Sequence, residues 1–181
     1  TYSIIERVGT EEEIKHPAIR EAMKFLDMHD LSITYDADLP ARSGLGTSSS
    51  LAVALLLSFY ALKGKHVDKQ RLADEAIHLE RVLCGESGGV QDQIAAAYGG
   101  LNRIDFSQES FAVNPIVISN EKKECLNANL MMFFTGFSRF SSTIQTEHEK
   151  AIQSKGQQLL EILSLVDEAE KVLTTGDLDE F

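Results

Sequence analysis

Between residues 40 and 50 the chain reads Pro40-Ala41-Arg42-Ser43-Gly44-Leu45-Gly46-Thr47-Ser48-Ser49-Ser50, and no other segment limits the fold as strongly. Before it, Leu31, Ile33, Tyr35 and Ala37 alternate with polar residues, which predicts a half-buried strand stopped at Pro40. After it, residues 51–62 form an apolar stretch that predicts a helix closed at Gly64. Its most apolar part, residues 51–57, has the length of a buried helix and falls short of the roughly 18 apolar residues that a membrane span needs. The loop joining strand to helix carries two glycines, which let the backbone approach a ligand and adopt positive φ. Four hydroxyl residues then stand at the helix N-terminus, where free N–H groups and the helix dipole favour an anion. Successive N–H groups in such a loop form an anion nest, and a hydroxyl there can ligate Mg²⁺. The plainer alternative is a helix cap, although one side chain suffices for that. The segment is not a Walker A loop, since no Gly-Lys-Ser/Thr follows. It also lacks the third glycine of the dinucleotide fingerprint.

The rest of the chain reads as segregated helices and strands, an α+β pattern. Residues 2–8 are expected to form a strand, and Pro17 to open a helix running to Met28. Asp68 caps a helix over 69–83, and a short helix follows over 91–98, closed by Gly99-Gly100. Strands are expected near 101–106, 111–119 and 130–135, and a long helical region over 143–173, interrupted at Gly156. The polar stretch 120–124 is the candidate boundary between two domains, 1–120 and 121–181.

The chain has 17 Lys+Arg against 28 Asp+Glu, a formal net charge of −11. That balance argues against nucleic acid and against an anionic membrane surface as partners. Cys84 and Cys125 are far apart with no Cys-x-x-Cys, which excludes a disulfide framework and a cysteine zinc site and makes a reducing cytoplasm the default compartment. The chain begins at Thr1 and ends at Phe181 within a new helix start, so a piece of a longer protein is expected.

Two carboxylates follow the loop. Glu80 shares a helix face with Ala73, Ile77 and Cys84, where a charge is costly unless it is paired, ligates a metal or borders a cavity. Its alternative is an edge position that reaches solvent or pairs with Arg81 or Arg7. Asp92 follows Ser87-Gly88-Gly89-Val90-Gln91 at the start of a helix, where complementing the dipole would account for it by itself. Loop, metal-capable carboxylate and carboxylate on a glycine-rich turn together suit Mg-dependent phosphoryl transfer.

These residues resemble a known family. Pro40-x-x-x-Gly44-Leu45-Gly46-Thr47-Ser48-Ser49, then Glu80, then Gly89-Val90-Gln91-Asp92-Gln93, is similar in content and order to the motifs of the GHMP kinases. That family takes its name from galactokinase, homoserine kinase, mevalonate kinase and phosphomevalonate kinase. Gly88-Gly89, Tyr98-Gly99-Gly100-Leu101-Asn102 and Phe134-Thr135-Gly136-Phe137-Ser138-Arg139 resemble its heptose and fucose sugar 1-kinase branch.

The resemblance implies a two-domain α+β architecture: most of an N-terminal domain related to a ribosomal-protein fold, and the start of a ferredoxin-like C-terminal domain. It implies ATP and Mg²⁺ as cofactors. The acceptor would be the anomeric hydroxyl of a sugar, a heptose phosphate first and L-fucose as its rival. Pro40, Ser43, Gly44, Leu45, Gly46, Thr47, Ser48 and Ser49 would hold the ATP phosphates. Ser48 and Glu80 would hold the metal, and Asp92 would be catalytic. Gly88, Gly89 and Arg139 would meet the substrate, with Arg139 alternatively a surface residue pairing with Glu147 or Glu149. Thr47 departs from the commoner serine but keeps a hydroxyl. The family's sugar-recognition segment is expected before Thr1 and its C-terminal glycine-rich motif after Phe181, so the 181 residues are not expected to turn over alone.

Two rivals come from other classes. A non-catalytic nucleotide-binding module shares the loop. Gly85-Glu86-Ser87-Gly88-Gly89 satisfies the serine-hydrolase elbow Gly-x-Ser-x-Gly, but a helix is expected before Ser87 where the elbow needs a strand.

Overall fold

The computed structural model describes residues 5–38, 44–108, 110–133 and 155–181. The described residues part into two compact units, one formed by those up to Tyr98 and the other by those from Gly99 onward.

The described part of the first unit is helical. Helix α1, Pro17–Phe25, starts on a proline whose missing N–H costs nothing in a first turn, and it buries Ala18, Ala22 and Met23. Helix α2, Thr47–Leu62, buries Ala52, Val53, Leu55, Leu56, Phe59 and Tyr60 along its length. It packs against α1, against α3 (Lys69–Ile77) and against α4 (Gln91–Tyr98). The core joins these α2 side chains to Ala22, Met23, Met28, Val67, Leu72, Ala76 and Leu79. Leu56 is fully buried within it. Leu56→Ala is therefore expected to lower unfolding free energy by about 2–5 kcal/mol, read as a shifted urea midpoint at constant m.

Asp68 caps α3 as the sequence predicts, its Oδ1 accepting the Arg71 N–H at 2.8 Å. The predicted helix over 69–83 is continuous, but its last six residues, His78–Leu83, form a π-helical turn. The turn closes with the Glu86 N–H donating to the Glu80 carbonyl at 2.9 Å. Cys84 follows, half-buried, its thiol pushed up to about 11 by burial and then by Glu86, Glu21 and Glu80, so it is no thiolate nucleophile at neutral pH.

His29 lies on the surface between two carboxylates. Its Nδ1 is 2.6 Å from Glu11 Oε1 and its Nε2 2.9 Å from Asp27 Oδ1. Two acceptors, one at each nitrogen, favour the doubly protonated ring, and its pKa is raised above 6.5, first by Glu11 and then by Asp27. A raised pKa contributes stability in full below the unfolded value and loses it as pH climbs through the folded one. A small fall in Tm is thus expected upward from about pH 6.5, and His29→Gln should flatten it; an unchanged slope in His29→Gln would exclude this contact as its source.

The second unit holds an antiparallel hairpin, β1 (Asn102–Phe106) with β2 (Phe111–Pro115), in register from Asn102↔Pro115 to Phe106↔Phe111. Two helices follow, α5 (Asn120–Asn129) and α6 (Gly156–Thr175). Arg103 of β1 reaches Asp105, Asp167 and Glu170 at 2.6–2.8 Å. Lys122 of α5 donates to the carbonyls of Val172 and Gly176 at the end of α6, a cation where the helix dipole favours one. Among the described residues no helix is long and apolar enough to cross a membrane.

Four expected strands need correction. Residues 31–37 are not a strand: Leu31 and Ile33 lean on the helical core, but no described strand pairs with them. Alternation records which side chains face inward, and a strand also needs a hydrogen-bonding neighbour. Residues 5–8 and 130–133 are likewise irregular, with Leu130, Met131, Met132 and Phe133 exposed; 2–4 and 134–135 lie outside the described residues. The second strand stops at Pro115, well short of Ser119, with one further rung beyond it, the Ile116 N–H donating to the Leu101 carbonyl at 2.9 Å. The polar stretch 120–124 is the first part of α5, with Ser119 Oγ accepting the Lys122 N–H at 3.1 Å. Residues 143–154 of the predicted long helix lie outside the described residues, and α6 begins at Gly156.

Candidate active site

Gly44 and Gly46 both have positive φ, 78° and 66°, and Gly46 is the N-cap residue of α2. Among the described residues no side chain caps this helix. The hydroxyls that a capping role would have turned back onto the first-turn amides point elsewhere. Ser48 Oγ donates to Glu80 Oε1 at 2.6 Å and Ser49 Oγ to Glu80 Oε2 at 2.7 Å. The first turn of α2 therefore keeps N–H groups that no side chain has taken, at the positive end of a 16-residue helix. Leu45 and Gly44 are exposed, and Thr47 is partly so. Pro40, Ser43 and Arg139 lie outside the described residues.

Glu80 is 2% exposed, which removes the reading that it reaches solvent from an edge. Nor does it pair with Arg81. Its acceptors are filled by Ser48, by Ser49 and by Gln93 Nε2, which donates to Oε2 at 2.5 Å. All three donors are neutral, and among the described residues no Lys or Arg forms a salt bridge with this carboxylate. A buried carboxylate held by neutral donors alone is electrostatically suited to a cation. Ser48 Oγ and Glu80 Oε1 are both hard oxygen donors. Their 2.6 Å separation is a few tenths below the spacing of adjacent ligands around Mg²⁺, for which metal–oxygen distances are about 2.0–2.1 Å. Among the described residues no three His, Cys, Asp or Glu side chains cluster for a metal, so this pair would rely on oxygens from a nucleotide and water.

Asp92 stands in the first turn of α4 and is exposed. It lies beside Gly46: a Cβ at Gly46 would be 3.5 Å from Asp92 Cγ and 3.7 Å from Oδ2, ordinary van der Waals contact. The glycine of the loop and the carboxylate of the second turn, 46 residues apart in sequence, thus face one another. Gly88, at φ 146°, takes a conformation that a residue with a side chain rarely adopts, in the loop leading to Asp92. Ser87 lies in that irregular loop after the π-turn, with no strand before it, so the nucleophile elbow has no scaffold here.

Two residues of this site escaped the sequence reading. Gln93 is fully buried beside Asp92 and binds Glu80. Its signal was available, since a buried polar side chain on a face with Ala96 and Ala97 must find a partner. Arg81, weighed only as a partner for Glu80, instead holds the backbone of the loop before Asp92.

Residues 13–100 match the family model of the GHMP kinases N terminal domain. The chain carries a GHMP kinase N-terminal domain. All of Gly44–Ser49, Glu80, Gly88, Gly89 and Asp92 fall within the matched span. Over 115 residues the chain is 36% identical to D-glycero-alpha-D-manno-heptose 7-phosphate kinase of Campylobacter jejuni, covering 63% of this chain and 34% of that protein. It is 30% identical over 125 residues to L-fucokinase/L-fucose-1-P guanylyltransferase of Bacteroides fragilis, covering 65% of this chain and 12% of that one. Among solved structures, a D-glycero-D-manno-heptose 1-phosphate kinase from Bacteroides thetaiotaomicron superimposes with a TM-score of 0.56 at 33% identity, covering 61% of this chain and 39% of the other. The chain spans about a third of the heptose 7-phosphate kinase. The described residues as a whole are α+β, with helices and a small antiparallel sheet.

Proposed function

We propose that this chain is part of a cytoplasmic sugar kinase that moves the γ-phosphoryl group of ATP to the anomeric hydroxyl of a heptose phosphate. One observation carries the reading: Asp92 faces Gly46 of the phosphate loop, whose next residues, Ser48 and Ser49, bind Glu80. An anion site, a cation site and an exposed carboxylate converge on one helix end. The names of the relatives, heptose phosphate kinases and a fucokinase among them, supply the substrate class.

The N–H groups from Gly44 to Ser48 bind the phosphate oxygens of ATP. Ser48 Oγ and Glu80 Oε1 are the residues that would hold Mg²⁺, which supplies charge neutralisation on the β- and γ-phosphate oxygens. The sugar hydroxyl oxygen forms the new bond to the γ-phosphorus. The bond from that phosphorus to the bridging oxygen breaks, and ADP leaves with the electron pair. Asp92 orients the hydroxyl and takes its proton late, since a carboxylate is a weak base toward an alcohol. Alignment and electrostatics supply the larger share of the rate.

The test is phosphorus NMR of the full-length protein with Mg-ATP and, separately, heptose 7-phosphate, L-fucose, galactose and mevalonate. New anomeric phosphate on heptose 7-phosphate is the expected result. The same signal on fucose alone replaces the substrate and keeps the mechanism. Nucleotide binding without transfer to any acceptor reduces the protein to a binding module.

A further inference from the structure

We propose that Arg81 is a positioning residue: its guanidinium fixes the backbone of residues 86–89 and thereby the approach to Asp92. Three carbonyl oxygens of this one loop accept from it. Arg81 Nη1 donates to the Glu86 carbonyl at 3.3 Å and to the Ser87 carbonyl at 2.9 Å, and Nη2 donates to the Gly89 carbonyl at 2.5 Å. The contacts lie on two nitrogens of one rigid plane, a geometry that a lysine's single ammonium cannot reproduce. Its Nε is buried and, among the described residues, no acceptor reaches it, so the two terminal nitrogens carry the contacts to the loop.

The loop needs such an anchor. Among the described residues its backbone is tied at its start by Glu86 N–H to Glu80, and α4 begins only at Gln91. Between them stand Gly88 and Gly89, the residue types that lose most conformational freedom on ordering. Three charge-assisted hydrogen bonds to carbonyls oppose that freedom. Within His78–Leu83, neighbouring side chains diverge, so that Glu80 turns into the buried network while Arg81 turns to the loop. One turn of backbone thus serves both flanks of the candidate site.

That the loop serves the sugar rests on the function proposed above; that Arg81 orders it does not. The experiment separates the two. In the full-length protein, Arg81→Lys keeps charge and stem, and Arg81→Met keeps only the stem. Hydrogen exchange across 84–92 is expected to accelerate roughly tenfold in both, with exchange in α2 unchanged. With Mg-ATP saturating, KM for the sugar is expected to rise roughly 10- to 100-fold while KM for ATP stays within about twofold. A merely structural role would slow neither substrate selectively and would lower Tm alone. Unchanged exchange across 84–92 in both variants overturns the proposal. So does accelerated exchange with an unaltered sugar KM. If the parent protein phosphorylates no sugar, the functional reading falls, and exchange alone decides whether Arg81 orders the loop.

Discussion

Replacing Asp92 by asparagine in the full-length protein is expected to lower kcat by roughly 10²–10⁴-fold, with KM for ATP and for sugar moving little. The substitution keeps size and polarity and removes the proton acceptor. Asp92 is exposed and, among the described residues, makes no hydrogen bond, so the fold has little to lose. Stability and kcat should therefore part company: an unchanged Tm beside a collapsed rate. The steady-state assay must be read with the melting curve. An unchanged kcat would remove Asp92 from the chemistry, and a Tm falling together with the rate would make it a structural residue of α4.

The second large effect is expected at Glu80, and its pattern is the reverse. Glu80→Ala strips the acceptor from Ser48, Ser49 and Gln93 at once, and Ser49 and Gln93 are buried. Each buried donor left unpaired costs about 1–3 kcal/mol, while removing a buried carboxylate returns part of its desolvation cost. A net loss of about 2–4 kcal/mol is the outcome, measured by urea unfolding without nucleotide. Glu80→Gln keeps shape and one acceptor, so it should fold better and show its defect as a raised Mg²⁺ requirement. Wild-type stability in Glu80→Ala would mean that the three donors find water. Wild-type Mg²⁺ dependence in Glu80→Gln would remove this carboxylate from the cation.

The sequence pointed to the parts of this candidate site whose chemistry is local. Gly44, Gly46 and the hydroxyl run read as an anion loop because glycine and serine have few other reasons to stand together before an apolar helix. Asp68 read as a cap for the same kind of reason, one side chain acting on the next turn. What stayed hidden depends on distant partners. The alternation over 31–37 marked Leu31 and Ile33 as inward-facing, but nothing in the alternation states whether a neighbouring strand exists. The π-turn was hidden too. Helical spacing placed Glu80 with Ala73, Ile77 and Cys84, and it carried no mark of the wider turn in which Glu80 is buried next to Leu79. Gln93 and Glu80 could have been matched as two polar residues on apolar faces, each in need of a partner. Arg81 could not, since its acceptors are backbone carbonyls that carry no residue-specific mark.

Ser48 and Ser49 are adjacent, and both reach the same carboxylate. On a helix, neighbouring residues point about 100° apart. Two pins set at such an angle into one plate prevent swivelling, where a single pin would allow it. Any roll of α2 about its own axis would stretch one serine bond while slackening the other. The helix to which the proposed function assigns the phosphates is therefore keyed in azimuth by its own first turn, and the aim of its first amides need not drift when the apolar packing farther down the helix breathes.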